Sequence, residues 1–139
     1  MNNSNHKDNP RFDNIIPNER PEYNTLAKQL KTVKENGNSI AYINNPCELV
    51  QLAAVRFNGN IIYHIFDKGI TPSIPVQRDA VMKEPVSALY HMVNRNFPIS
   101  KVIQWTAAKQ IKERNLKISR VTLVKLDPDV QEYLRDNQG

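Results

Sequence analysis

The sequence predicts an all-α protein: short α-hairpin repeats stacked as a small solenoid. Three observations predict it. A glutamine recurs at Gln29, Gln51, Gln77 and Gln104, at spacings of 22, 26 and 27 residues. Small or apolar residues follow three and four places on, at Thr32, Ala54, Ala80 and Ala107 and then at Val33, Val55, Val81 and Ala108. The units also open alike, on Pro46 and Pro72, and break alike, at Asn36-Gly37 and Asn58-Gly59. Residues three and four apart share one helical face, so each copy reads as an amphipathic helix.

The elements follow in order. Residues 1–22 are rich in Asn, Pro and charge, with Phe12, Ile15 and Ile16 as apolar anchors. That is too little apolar surface to offset the ordering entropy, so the segment reads as a disordered polar tail. Residues 23–112 form the helical-repeat domain, each unit being a glutamine-bearing helix, a tight turn and a second short helix. Asn45-Pro46 and Thr71-Pro72 read as an N-cap followed by proline at the first helical position, with Glu48 as capping-box partner. Pro75 falls in the first turn of the third unit and is expected to delay that helix. Gly37 and Gly59 suit the left-handed position after a helix end, and Pro85 in the same column suits a helix stop. The second helices cover residues 39–43, 61–65 and 87–93.

The fourth unit departs from the pattern. It opens on Phe97-Pro98, and residues 103–114 read as one longer helix. Residues 116–126 are β-branched and partly alternating, which leaves helix, strand and extended segment open. Asp127-Pro128 opens a last short helix over 130–136. Residues 113–139 are therefore read as a divergent C-terminal cap, since terminal repeats must close the stack.

Composition narrows the function classes. A chain of 139 residues fits one domain, and its single cysteine, Cys47, has no internal partner. No apolar leader opens the chain, and the longest apolar run, residues 61–66, is far short of the roughly 20 residues of a membrane span. A cytoplasmic protein with no membrane contact is expected. The net charge is +5, and residues 101–120 alone carry six basic side chains against Glu113. Such a stretch attracts nucleic acid or an acidic protein, and equally suits a solvated helix face.

The four glycines stand at 37, 59, 69 and 139, none in a phosphate-binding loop. One Cys and three His, at 6, 64 and 91, have no metal-ligand spacing, so no metal and no cofactor are expected. Cys47 sits at a helix start, where a thiol can be activated. Ser73 at the equivalent place favours a small first-turn residue instead. With no paired carboxylates in the repeats, no enzyme is expected.

Three sets of residues are candidate binding surfaces. Gln29, Gln51, Gln77 and Gln104 form either an exposed hydrogen-bonding row or, as we read them, joints to the backbone of a neighbouring repeat. Tyr42, His64 and Tyr90 each follow a glutamine by thirteen residues. They form either a stacking ladder or, as we read them, rings buried between helices with wet tips. Lys101, Trp105, Lys109 and Lys112 share one face of the fourth helix. That face is either a base-stacking and phosphate-binding surface or a core tryptophan with lysines around it, the second being our reading.

The string from Asn45-Pro46-Cys47-Glu48 through Val50-Gln51-Leu52-Ala53-Ala54-Val55 to Asn58-Gly59-Asn60, with Ile62 and Ile65, resembles short helical-hairpin repeats of bacterial and large-phage proteins, mostly of unknown function. The resemblance covers residues 26–108. It implies an α-helical repeat fold in a bacterial or phage setting, in the host cytoplasm if phage-encoded, and brings no catalytic residue. The expected function is a non-catalytic protein-binding module, an adaptor or inhibitor whose partner is another protein. The alternative is a nucleic-acid-binding protein using the basic 101–120 segment and the aromatic column.

Overall fold

The computed structural model describes residues 20–139. The tail read over residues 1–22 lies outside them except for its last three residues. The described part of the chain is mostly helical, and no strand occurs among the described residues. No described helix is long and apolar enough to cross a membrane.

A 3-10 turn, Pro21–Tyr23, leads into α1 (Leu26–Glu35) and a second 3-10 segment, Gly37–Tyr42. Next come α2 (Glu48–Phe57), a 3-10 turn at Gly59–Ile61 running into α3 (Ile62–Asp67), α4 (Ile74–Lys83) and α5 (Pro85–Asn94). The chain ends with α6 (Lys101–Glu113), α7 (Arg120–Leu123), α8 (Pro128–Tyr133) and a 3-10 turn, Arg135–Asn137. Helices α1, α2, α4 and α6 lie side by side in that order, with α8 against α6; α5 packs on α4 and α6, and α3 on α5 and the 3-10 segments Gly37–Tyr42 and Gly59–Ile61.

The glutamine sets the phase of each unit. Gln29, Gln51, Gln77 and Gln104 are each the fourth residue of a helix, counted from caps at Thr25, Cys47, Ser73 and Ser100. The residue before it (Val50, Val76, Ile103) and those three and four after it are fully buried in α2, α4 and α6. Each valine or isoleucine of the stripe taken out of water contributes about 1.5–3 kcal/mol, and the alanines let the helices approach closely.

The same phase recurs a fifth time. Gln131 is the fourth residue of α8, its cap is Asp127, and Val130 before it is buried. The segment read as a divergent cap therefore opens another copy of the glutamine helix. Residues 116–126 are neither a strand nor one helix. Ile118 forms a single parallel bridge with Gln138, and the single-turn α7 follows.

Four local expectations are corrected. The caps are Cys47 and Ser73, so Pro46 and Pro72 stand just before the cap instead of at the first helical position. Both prolines are buried, and a proline there brings no N–H that would need a partner. Glu48 is no capping-box partner: its carboxylate accepts from the Ser73 hydroxyl of the next unit. Pro75 delays nothing, because it is the second residue of α4, where the N–H has no intrahelical partner in any case. Gly37 and Gly59 are not left-handed; among the described glycines only Gly69 has a positive φ, of 76°. They are small because another helix passes close by. A Cβ on Gly37 would lie 2.9 Å from the Ala54 carbonyl oxygen, and one on Gly59 would lie 2.1 Å from that of Ala80. Glycine of one unit thus seats against the alanine column of the next.

Candidate binding surface

The glutamine column faces inward. Its amides are buried, between 2% and 7% exposed, and each Nε2 donates at 2.9 Å to a carbonyl in the loop before its own helix. The acceptors are Tyr23, Pro46, Pro72 and Ile99. In the fifth copy Gln131 does the same to Leu126, at 2.7 Å. The joint is to the unit's own loop and not to a neighbour's backbone. Gln104 also reaches the neighbour: its Oε1 accepts from the Asp127 N–H at 2.8 Å. An exposed row is overturned by this burial.

The aromatic column divides. Tyr42 is 64% exposed and Tyr90 45%, because Ile40 and Ile43 beside the first, and Leu89 and Met92 beside the second, already fill the core. The expectation of buried rings fails at these two positions. His64 is half-buried, stacked at 4.0 Å on Tyr63, which also meets His91 at 5.2 Å. His91 in turn meets Tyr90 and donates from Nε2 to Asn60 Oδ1 at 2.6 Å. Rings in contact thus run His64, Tyr63, His91, Tyr90. Tyr42 stands apart under the Arg20 guanidinium.

Burial lowers the pKa of both imidazoles. Asp67 opposes this at each; Lys68 adds to it at His64, and Arg95 at His91. A depressed folded value means that the unfolded chain takes up protons more readily. The stabilising effect is whole above the ordinary histidine value, about 6.5, and is lost as pH falls below it. Denaturant midpoints should therefore fall from about pH 7.5 to about pH 5.5, and a His64→Gln/His91→Gln double variant should show a shallower fall. Identical slopes would mean that these rings do not carry the effect.

The lysine face is also corrected. Trp105 is half-buried, edge-on to Tyr133 of α8 at 5.1 Å, and Lys112 lies 4.9 Å above the same ring. Lys101 ion-pairs with Asp129 at 3.3 Å and Asp127 at 3.6 Å, and the Asp129 hydrogen bond holds its ammonium above the ordinary value. Lys109 is exposed. Further along the basic stretch, the Arg114 guanidinium donates to the Met82 and Lys83 carbonyls at the end of α4. Lys101, Lys112 and Arg114 of the basic stretch are thus tied into three separate joints.

Another surface lies on the outward side of α1, α2, α4 and α6, and sequence reading named only its α6 end, at Trp105 and Lys109. Leu30, Leu49, Leu52, Ala53 and Phe57 line a groove of about 380 Å³ between α1 and α2, with Lys34 and Arg56 also in its lining. Leu49 is 53% and Phe57 44% exposed. The same side continues through Met82 and Lys83 of α4 to Val102, Trp105 and Lys109 of α6. These four helices carry nine basic and four acidic side chains, a surplus equal to the net charge of the whole chain. One signal could have revealed the groove: Leu49 and Phe57 are apolar residues of α2 outside its buried stripe of Val50, Ala54 and Val55. No protein-family model, curated protein or solved structure matches this chain.

Proposed function

We propose that this chain is a non-catalytic helical-repeat module, a small solenoid of stacked hairpins, that holds another protein along the outward side of α1, α2, α4 and α6. The α1/α2 groove carries the reading. Apolar side chains as large as Leu49 and Phe57, left half-exposed together in a concave surface, are the ordinary signature of an interaction site. A protein fits better than a nucleic acid, because the groove lining is chiefly aliphatic and offers little for base stacking. Lys101 and Lys112 on α6 are also already engaged. The resemblance to bacterial and phage hairpin repeats extends the proposal to an adaptor or inhibitor in a bacterial cytoplasm.

The test is affinity capture from bacterial extract after nuclease treatment, with wild type and Leu49→Glu side by side. A protein retained by wild type at roughly 200 mM salt and lost by the variant supports the module. Retention that vanishes with nuclease, or between roughly 50 and 200 mM salt, points to nucleic acid instead. The variant's melting curve should match wild type, since Leu49 is largely in solvent.

A further inference from the structure

We infer that the partner presents an extended acidic segment, with an apolar and an acidic residue repeating every third position, laid across α1, α2, α4 and α6. This rests on the module reading and gives its partner a chemistry. The glutamine phase makes the outward positions comparable from helix to helix. Five or six residues after the glutamine stands an exposed cation in every case: Lys34, Arg56, Lys83 and Lys109. Beside this row runs an apolar one: Leu30 on α1, Leu49 and Leu52 on α2, and Val102 and Trp105 on α6, interrupted at Arg78 of α4. A cationic track thus crosses the four helices at one step per helix, with an apolar track beside it on α1, α2 and α6.

The size of the step selects the ligand's conformation. Packed helices lie about 8–10 Å apart. A polyproline-type chain rises about 3.1 Å per residue with three residues per turn, so every third side chain returns to the same side after about 9 Å. Such a segment keeps an apolar edge on one track and an acidic edge on the other. A helix in the groove would run along α1 and α2 and meet only the first of the four steps. A carboxylate already occupies the cationic track at one place: Asp79 Oδ2 accepts from Arg56 Nε at 2.8 Å. Phosphates of a nucleic acid would satisfy the cations and leave Leu30, Leu49 and Leu52 uncovered.

The probe is a fluorescein-labelled peptide of four Leu-Glu-Pro triplets, titrated by anisotropy against the full chain. Its controls are a Leu-Lys-Pro peptide, a Ser-Glu-Pro peptide and an oligothymidylate. The Leu-Glu-Pro peptide should bind at least about ten-fold more tightly than each of them. Leu49→Ser, and separately Lys34→Glu/Lys109→Glu, should each weaken it about ten-fold, while Lys125→Glu, an exposed cation off the tracks, should leave it unchanged. Absence of binding, equal binding of the Leu-Lys-Pro peptide, preference for the oligothymidylate, or indifference to both track variants overturns the inference. If extract capture still yields a protein that Leu49→Glu loses, the module reading survives that failure. If no such protein is captured, both fall.

Discussion

Gly59→Ala should cost about 3 kcal/mol, the upper part of the range for forcing a methyl group into a packed core. The added Cβ would lie 2.1 Å from the Ala80 carbonyl oxygen and 3.0 Å from the Glu84 nitrogen. These are backbone atoms joined by the last hydrogen bond of α4, at 2.8 Å, so neither can turn aside as a side chain would. Helix α4 is held between α2 and α6, and Arg114 caps its end, so relief requires opening a joint between units. Gly37→Ala should cost less, about 1–2 kcal/mol, because its nearest obstacle is the flexible end of Ile61 at 2.6 Å and the Ala54 carbonyl oxygen and Phe57 Cβ lie farther off, at 2.9 Å. Gly69→Ala meets nothing within 4 Å and should cost about 1 kcal/mol for its positive φ. Urea unfolding, read as midpoints at constant slope, ranks the three. A Gly59 variant as stable as the Gly69 variant would show that this contact does not set the spacing of the units.

The glycines also show what could be read in advance. The column Gly37, Gly59 was visible in the sequence, but glycine serves left-handed turns and close approach alike. Only the neighbour decides, and here the neighbour is the alanine carbonyl of the next unit, 17 residues on from Gly37 and 21 from Gly59. The prolines misled for a related reason. Proline suits both the first turn of a helix and the residue before its cap, and the glutamine amide reaching Pro46 and Pro72 picks the second. The glutamine helices themselves were legible because their buried stripe is local. The fifth was legible too, as Val130-Gln131, but Leu134 and Arg135 replace the small and apolar pair that marked the others. The binding surface was harder, since a search for polar and aromatic ladders passes over Leu49 and Phe57. Their meaning depends on α1 lying beside α2.

The glutamines should differ in worth although they look alike in sequence. Gln77→Met leaves the Pro72 carbonyl without its buried donor, a loss of about 1–3 kcal/mol. Nothing is lost at its other end, because Gln77 Oε1 is buried with no hydrogen-bond partner. Gln104→Met removes three bonds at once: the donation to Ile99, the acceptance from the Asp127 N–H, and a longer donation, at 3.4 Å, to Asp127 Oδ1. The second ties α6 to the cap of α8, so its loss should loosen the fifth copy as well as the fourth. Methionine matches glutamine closely in length and flexibility, so what changes is chiefly the polar ends. Gln104→Met should therefore exceed Gln77→Met by about 1–2 kcal/mol in urea unfolding. Amide hydrogen exchange gives the second readout: protection over residues 127–134 should fall in the Gln104 variant and hold in the Gln77 variant. Equal costs with unchanged protection would mean that each glutamine serves its own loop alone, and that α8 is held to α6 by Trp105, Tyr133 and the Lys101 ion pairs.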